Sequence, residues 1–169
     1  MVATGPTQLS VSVPADRVPD VSTTTTAGLD SGSAMTDERR AHVRRRLTTN
    51  QIAWLTTVDK GGQPHTVPVW FLLREDGTVL VYSRASKSKI DAIAANPRIA
   101  LSLDGSDIGR DVVRIEGVAR VARDEPPADQ VPAYRAKYAE RIDALFDDPA
   151  DFARLFAVPI VITPERILG

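Results

Sequence analysis

Residues 52–83 read IAWLTTVDKGGQPHTVPVWFLLREDGTVLVYS. Three strands and two tight turns are legible in that run. Ile52 to Val58 is dense in β-branched and aromatic residues, the composition of a half-buried pleated surface. Asp59-Lys60-Gly61-Gly62 is a hairpin loop, with glycines available for positive φ. From Gln63 to Arg74 the side chains alternate. His65, Val67, Val69 and Phe71 take one face; Thr66, Pro68, Trp70 and Leu72 take the other. Glu75-Asp76-Gly77 then turns the chain into a third strand, Thr78 to Ser83. Strands joined by loops this short pair antiparallel, because a parallel pair needs a crossover of about a dozen residues or more.

The same reading extends outward. Before the first strand, Thr36-Asp37-Glu38 offers an N-cap and two acids for a helix reaching about Leu47. After the third strand, a helix over 86–95 stops ahead of Asn96-Pro97. Arg98 to Leu103 is a fourth strand and Asp111 to Ala122 a fifth, with Gly117 marking a bulge or a close approach. Residues 128–146 are helical, with Val131, Tyr134, Tyr138, Ile142 and Leu145 on one apolar face. A short helix from Pro149 to Leu155 leads to a last strand, Val158 to Ile162, and Thr163-Pro164 closes the pattern. Six strands and four helices in this order predict a mainly β, α+β fold: an antiparallel barrel, closed or nearly so, with helices packed outside.

Composition narrows the function. The chain has 169 residues, enough for one domain with a core, and 21 basic against 22 acidic residues give no overall electrostatic case for nucleic acid. There is no cysteine, which excludes a thiol nucleophile and thiolate metal sites and fits a cytoplasmic location. Two histidines, His42 and His65, are too few for a histidine metal cluster, and no apolar run has the length of a membrane span. Residues 1–34 are rich in Thr, Ser, Pro, Ala and Val, with one arginine and no lysine or aromatic residue. They are expected to form a disordered tail preceding a domain over 36–169, and Met35 is an alternative start.

The segment Tyr82-Ser83-Arg84-Ala85-Ser86-Lys87-Ser88-Lys89 holds three cations, three serines and no anion, and it runs straight into a helix. A helix start carries partial positive charge and unpaired N–H groups, so it ordinarily recruits acids. Lysines there fit either a solvated basic turn or a bound phosphate, on which N–H groups, hydroxyls and ammonium groups converge. Pro68 sits in mid-strand without an N–H, which fits an ordinary edge or an edge turned towards a ligand, with Trp70 beside it as core or as ring contact. No dinucleotide fingerprint, phosphate loop, nucleophile elbow, Ser-His-Asp set or pair of glycosidase acids is visible. If the protein is an enzyme, a bound cofactor supplies the chemistry.

The segments AWLTTVDKGGQPHTVPVWF, VYSRASKSKIDAIAANPR and DVVRIEGVA, in that order behind a basic helix, resemble the pyridoxamine 5′-phosphate oxidase-like, FMN-binding split-barrel superfamily. Within it, the chain is most similar to the actinobacterial branch that uses the deazaflavin coenzyme F420. The resemblance spans about residues 36–168. It implies a six-stranded split barrel that forms a homodimer with the cofactor at the subunit interface. It implies a phosphate held by Lys87 and Lys89 with Ser83 and Ser86 nearby, a ring against Pro68, Val69 and Trp70, and pocket walls from Thr56, Thr57 and Val58. Arg84 and the Arg44-Arg45-Arg46 run are then candidate cations for the acidic coenzyme tail. The implied function is hydride transfer between reduced F420 and a small electron-poor acceptor. An FMN-dependent oxidase or reductase and a non-catalytic F420 carrier are the alternatives. No metal is implied, and no catalytic residue is assigned; Tyr82 and His65 are the candidate proton donors.

Overall fold

The computed structural model describes residues 35–85, 88–104 and 109–169. The expected tail, and Ser86 and Lys87 of the expected phosphate site, lie outside the described residues. Helix α1 (Asp37–Thr49) starts at the expected cap, the Thr36 hydroxyl accepting from the Arg39 N–H at 3.2 Å. Strands β1 (Ile52–Val58), β2 (Pro64–Leu73) and β3 (Val79–Ser83) follow, then α2 (Ser88–Ala95), β4 (Arg98–Asp104) and β5 (Val112–Val121). After a 3₁₀ turn at Ala128–Gln130 come α3 (Pro132–Leu145), α4 (Pro149–Leu155) and β6 (Val158–Leu168). The strands close into an antiparallel barrel in the order β1-β2-β3-β6-β5-β4. No helix among the described residues is long and apolar enough to cross a membrane.

The alternation read in β2 decides what goes inside. Val69 and Phe71 join Ala53, Leu55, Val81, Leu101, Ile115 and Ile160 in the barrel interior, and Val43 and Leu47 of α1 and Ile93 of α2 pack against that core. Trp70 and Leu72 point the other way, into a second cluster in which Leu80, Tyr82 and Val161 meet Tyr134, Tyr138, Ile142 and Phe152 of α3 and α4. β3 is therefore buried at every position. One of its faces fills the barrel and the other is covered by helices, so it reads as a continuous run. Leu145 departs from the expected helix face: it is 66% exposed at the end of α3.

The glycine readings hold at two points. Gly62 has φ 83° in the β1–β2 loop, where a side chain would be strained. At Gly117 the β5–β6 register shifts, and an added β-carbon would run into the carbonyl oxygen of Thr163. That bulge also explains why β6 outlasts its expected end at Ile162. Pro164 pairs with Gly117, where the ladder is already interrupted, so its missing N–H costs nothing and pairing resumes to Leu168.

The barrel is incompletely zipped on one side of β2. All of β2 from Pro64 to Trp70 pairs with β1, but among the described residues β3 pairs with Phe71, Leu72 and Leu73 only. Pro68 lies in that half-paired stretch, as a residue lacking a ladder donor should. Next to it, beyond the last β1–β2 pair, Ile52 with Trp70, the Tyr138 hydroxyl bridges Phe71 to Gln51. It accepts from the Phe71 N–H at 2.7 Å and lies 2.8 Å from the carbonyl oxygens of both Phe71 and Gln51.

Candidate functional site

A cleft of about 720 Å³ opens along the half-paired part of β2. Val67, Pro68, Val69 and Trp70 form its floor with Ile52 of β1, and Tyr82, Ser83, Arg84 and Lys89 form one end. The helical side contributes Tyr134 and Leu145 of α3, Phe152 and Leu155 of α4, and Phe146 and Phe156 just beyond their ends. The sequence puts a flat, stiff surface here. Trp70 stacks on Tyr138 with ring centroids 4.7 Å apart and on Phe152 at 5.3 Å, with interplanar angles of 5° and 17°. Phe152 in turn stacks on Phe156 at 4.8 Å. Rings held by other rings keep their orientation, so the cleft offers a preformed aromatic wall of the kind that receives a planar ligand.

The polar groups gather at one end. The Arg84 guanidinium lies 5.2 Å from the Phe156 ring centroid, which fixes a cation at the mouth of the cleft. Ser83 is almost fully buried, and its hydroxyl donates to the carbonyl of Arg84 at 3.2 Å. Lys89 stands in the first turn of α2 and lines the same end. Arg84 and Lys89 thus line an otherwise mostly apolar cleft together with Ser83, a combination suited to a ligand with a flat ring and an anionic end.

Three tyrosines back the aromatic wall, in different states. Tyr82 donates to the carbonyl of Pro126 at 2.6 Å, and burial pushes its phenol up to about 12, so it stays protonated and turned to that loop. Tyr138 is engaged with the backbone of Phe71 and Gln51. Tyr134 is fully buried, and its hydroxyl has no hydrogen-bond partner among the described residues. A buried hydroxyl in that condition costs about 1–3 kcal/mol.

Of the residues expected at a ligand site, Pro68, Val69, Trp70, Ser83 and Lys89 come together in this cleft. Thr56, Thr57 and Val58 do not line it. They pair with Thr66, His65 and Pro64, one, two and three rungs beyond Val67, the last β2 residue of the floor. Thr57 faces inward and is 1% exposed, while the Thr56 hydroxyl lies 2.8 Å from that of Thr66 on the outer surface. His65 is away from the cleft, paired with Asp59 at 3.1 Å.

The α1 arginines have other work. Arg46 is 9% exposed and holds the carboxylate and backbone carbonyl of Asp111 and the Asn50 side chain. Arg45 donates to His42 Nδ1 at 2.8 Å, which leaves Nε2 to donate to Asp111, also at 2.8 Å. These contacts hold Asp111 below the usual carboxylate range, the His42 hydrogen bond foremost. Arg44 lines a separate hollow of about 270 Å³ beside Met35 and Leu73. The Arg44-Arg45-Arg46 run was a candidate for the ligand's acidic tail on the condition that it packs near the site, and none of the three lines this cleft: Arg45 and Arg46 are engaged around His42 and Asp111, and Arg44 lies at the other hollow.

The wall from α3 and α4 was absent from the expectations. Helical spacing alone marks Tyr134 and Tyr138 as core, and they are core on one side. The available signal was the clustering of Phe146, Phe152 and Phe156, three of the chain's 4 phenylalanines, within eleven residues.

The sequence model of the family described as pyridoxamine 5′-phosphate oxidase matches residues 40–168. An F420 reductase of known structure is 25% identical, with a TM-score of 0.56 over 74% of this chain and 94% of that one. A conserved hypothetical protein from Mycobacterium tuberculosis is 20% identical, with a TM-score of 0.57 over 83% of this chain and 88% of the other. HutZ, the heme storage protein from Vibrio cholerae, is 14% identical, with a TM-score of 0.53 over 78% and 92%. The last two likenesses are ones of fold. No curated protein matches the chain.

Proposed function

We propose, from the premise that the chain belongs to the pyridoxamine 5′-phosphate oxidase family, that the cleft beside β2 binds coenzyme F420 and that the protein transfers a hydride between it and a small electron-poor acceptor. One observation carries the reading: an aromatic floor and wall along the half-paired stretch of β2 end in Ser83, Arg84 and Lys89. The residues fit the group. Trp70 and the backbone edge at Val67–Val69 suit a planar heterocycle with polar edges, and Arg84 and Lys89 suit a phosphate and an acidic tail. Lys87 and Ser86 join that end in the proposal as the sequence neighbours of Lys89. The F420 reductase of similar structure supports the choice of coenzyme.

When bound, the deazaflavin supplies a hydride from a ring carbon. The chain's own part is to bind, orient and exclude water: Trp70 fixes the plane of the ring, the cations fix its anionic end, and Phe152 and Phe156 keep the wall dry. Tyr82 is a poor proton donor here, because its hydroxyl is committed to Pro126.

The site is proposed to be completed in a homodimer. Ile52 and Trp54 on the outer face of β1 are 40% and 49% exposed, and Trp54 pairs with Pro68, which lines the cleft. A second copy laid on this face would cover that apolar surface and bring Thr56 and Val58 alongside the ligand.

Titration of the purified protein with F420 and with FMN tests the reading. Saturable binding of F420 in preference to FMN is expected. Tight FMN binding with none of F420 overturns the choice of coenzyme, and binding of F420 without oxidation of its reduced form across a panel of quinones, nitro compounds and enones overturns the enzymatic role in favour of a carrier.

A further inference from the structure

The aromatic cluster holds one hydroxyl that its packing does not explain. Tyr134, in the first turn of α3, meets Tyr82 edge-on at 5.0 Å, Tyr138 at 4.8 Å and Phe152 at 6.1 Å. Phenylalanine would make all three ring contacts. The hydroxyls of Tyr82 and Tyr138 are each engaged with backbone carbonyls, whereas that of Tyr134 is buried without a partner. A bridging water needs two or more polar partners, and of the three rings around Tyr134, Phe152 has no polar atom and the hydroxyls of Tyr82 and Tyr138 are engaged with backbone carbonyls. Tyr134 does line the cleft. Burial raises its pKa well above the ordinary phenol value, so the group is a neutral donor at any physiological pH.

We infer that Tyr134 is a ligand-positioning residue, whose hydroxyl donates a hydrogen bond to a ring carbonyl oxygen of a planar heterocycle seated against Trp70 and Phe152. The inference rests on the reading of this cleft as a coenzyme site. The hydroxyl is enclosed in the unliganded chain, so the ligand reaches it by entering the cleft that the Tyr134 ring lines. The hydrogen bond selects among flat ligands. One with an acceptor at that depth satisfies the phenol, and one presenting only C–H groups leaves it unpaired, at the cost that accompanies a buried lone donor.

Tyr134→Phe keeps the ring and removes the donor. In the apoprotein the substitution is expected to leave the melting temperature unchanged or raise it. In fluorescence titration the affinity for whichever of F420 and FMN the unmutated protein binds is expected to fall about three- to tenfold, the worth of one neutral hydrogen bond. The infrared carbonyl band of the bound ring is expected to move to higher frequency, a signature that a packing role would not produce. Unchanged affinity and an unchanged carbonyl band overturn the assignment while leaving the cleft as the coenzyme site. A fall of several degrees in the apoprotein melting temperature also overturns it, by revealing a structural partner. Failure of the unmutated protein to bind either coenzyme overturns the site reading, and this assignment with it.

Discussion

Lys89→Gln separates binding from folding. Lys89 is the second residue of α2 and lines the polar end of the cleft, half-buried. Glutamine preserves most of the stem and removes the charge. A charge-assisted hydrogen bond to an anionic oxygen contributes about 1.5–3 kcal/mol, or about tenfold to about 150-fold in a dissociation constant. Half-exposure places Lys89 near the lower figure, because water screens part of the interaction. The apoprotein gives the control. A melt of the unliganded protein measures any change in stability separately from the change in affinity. The assay is a fluorescence titration with F420 at low and high salt, alongside a urea melt of the apoprotein. The expected result is about a tenfold weaker affinity at low salt and a gap that narrows at high salt. Equal affinity of the two proteins at low salt would refute the placement of an anion at this end.

Three other outcomes follow from the geometry. Tyr138→Phe leaves the fully buried Phe71 N–H without its partner and should destabilise the protein by about 1–3 kcal/mol in urea denaturation, although it is the same chemical change as Tyr134→Phe. Gly117→Ala drives a methyl group into the Thr163 carbonyl, which the β6 backbone cannot easily withdraw, and should cost at least ~2 kcal/mol. Burial pulls the Lys137 ammonium, 3.9 Å from the Phe71 ring centroid, down to about 8. The unfolded chain then holds more protons than the folded one between about pH 8 and the ordinary lysine value, so stability should rise with pH across that window, and Lys137→Met should flatten the rise.

Local chemistry made the strands legible. The alternation of β2, the Asp59–Gly62 turn and Gly117 each obey a rule that neighbouring residues impose, and the structure keeps all three. The pairings that close the barrel, β1 with β4 and β3 with β6, join segments far apart in the chain, so no local pattern reports which strand meets which. The end of β6 was not legible: a proline ordinarily interrupts a strand, but the bulge opposite Pro164 has already released the ladder and pairing resumes to Leu168. The cleft was half legible. Pro68, Ser83, Arg84 and Lys89 stood out in the sequence because they depart from what a strand interior or a helix start ordinarily carries, and all four line the cleft. The α3 and α4 wall has no such departure. An apolar helix face looks the same in sequence whether it meets a barrel, lines a cleft or, as at Tyr134, does both. The α1 arginines show the converse: a basic run reads as surface or ligand site, and only the fold reveals Asp111 opposite Arg46 and His42.

The central claim is that the cleft between β2 and the α3–α4 wall holds a flat coenzyme whose anionic end lies at the start of α2. A crystal structure of the F420 complex tests it most directly. The ring should lie against Pro68, Val69 and Trp70, with its phosphate beside Ser83 and Lys89. Ring density elsewhere on the barrel, or Lys89 turned to bulk solvent away from every coenzyme oxygen, would contradict it.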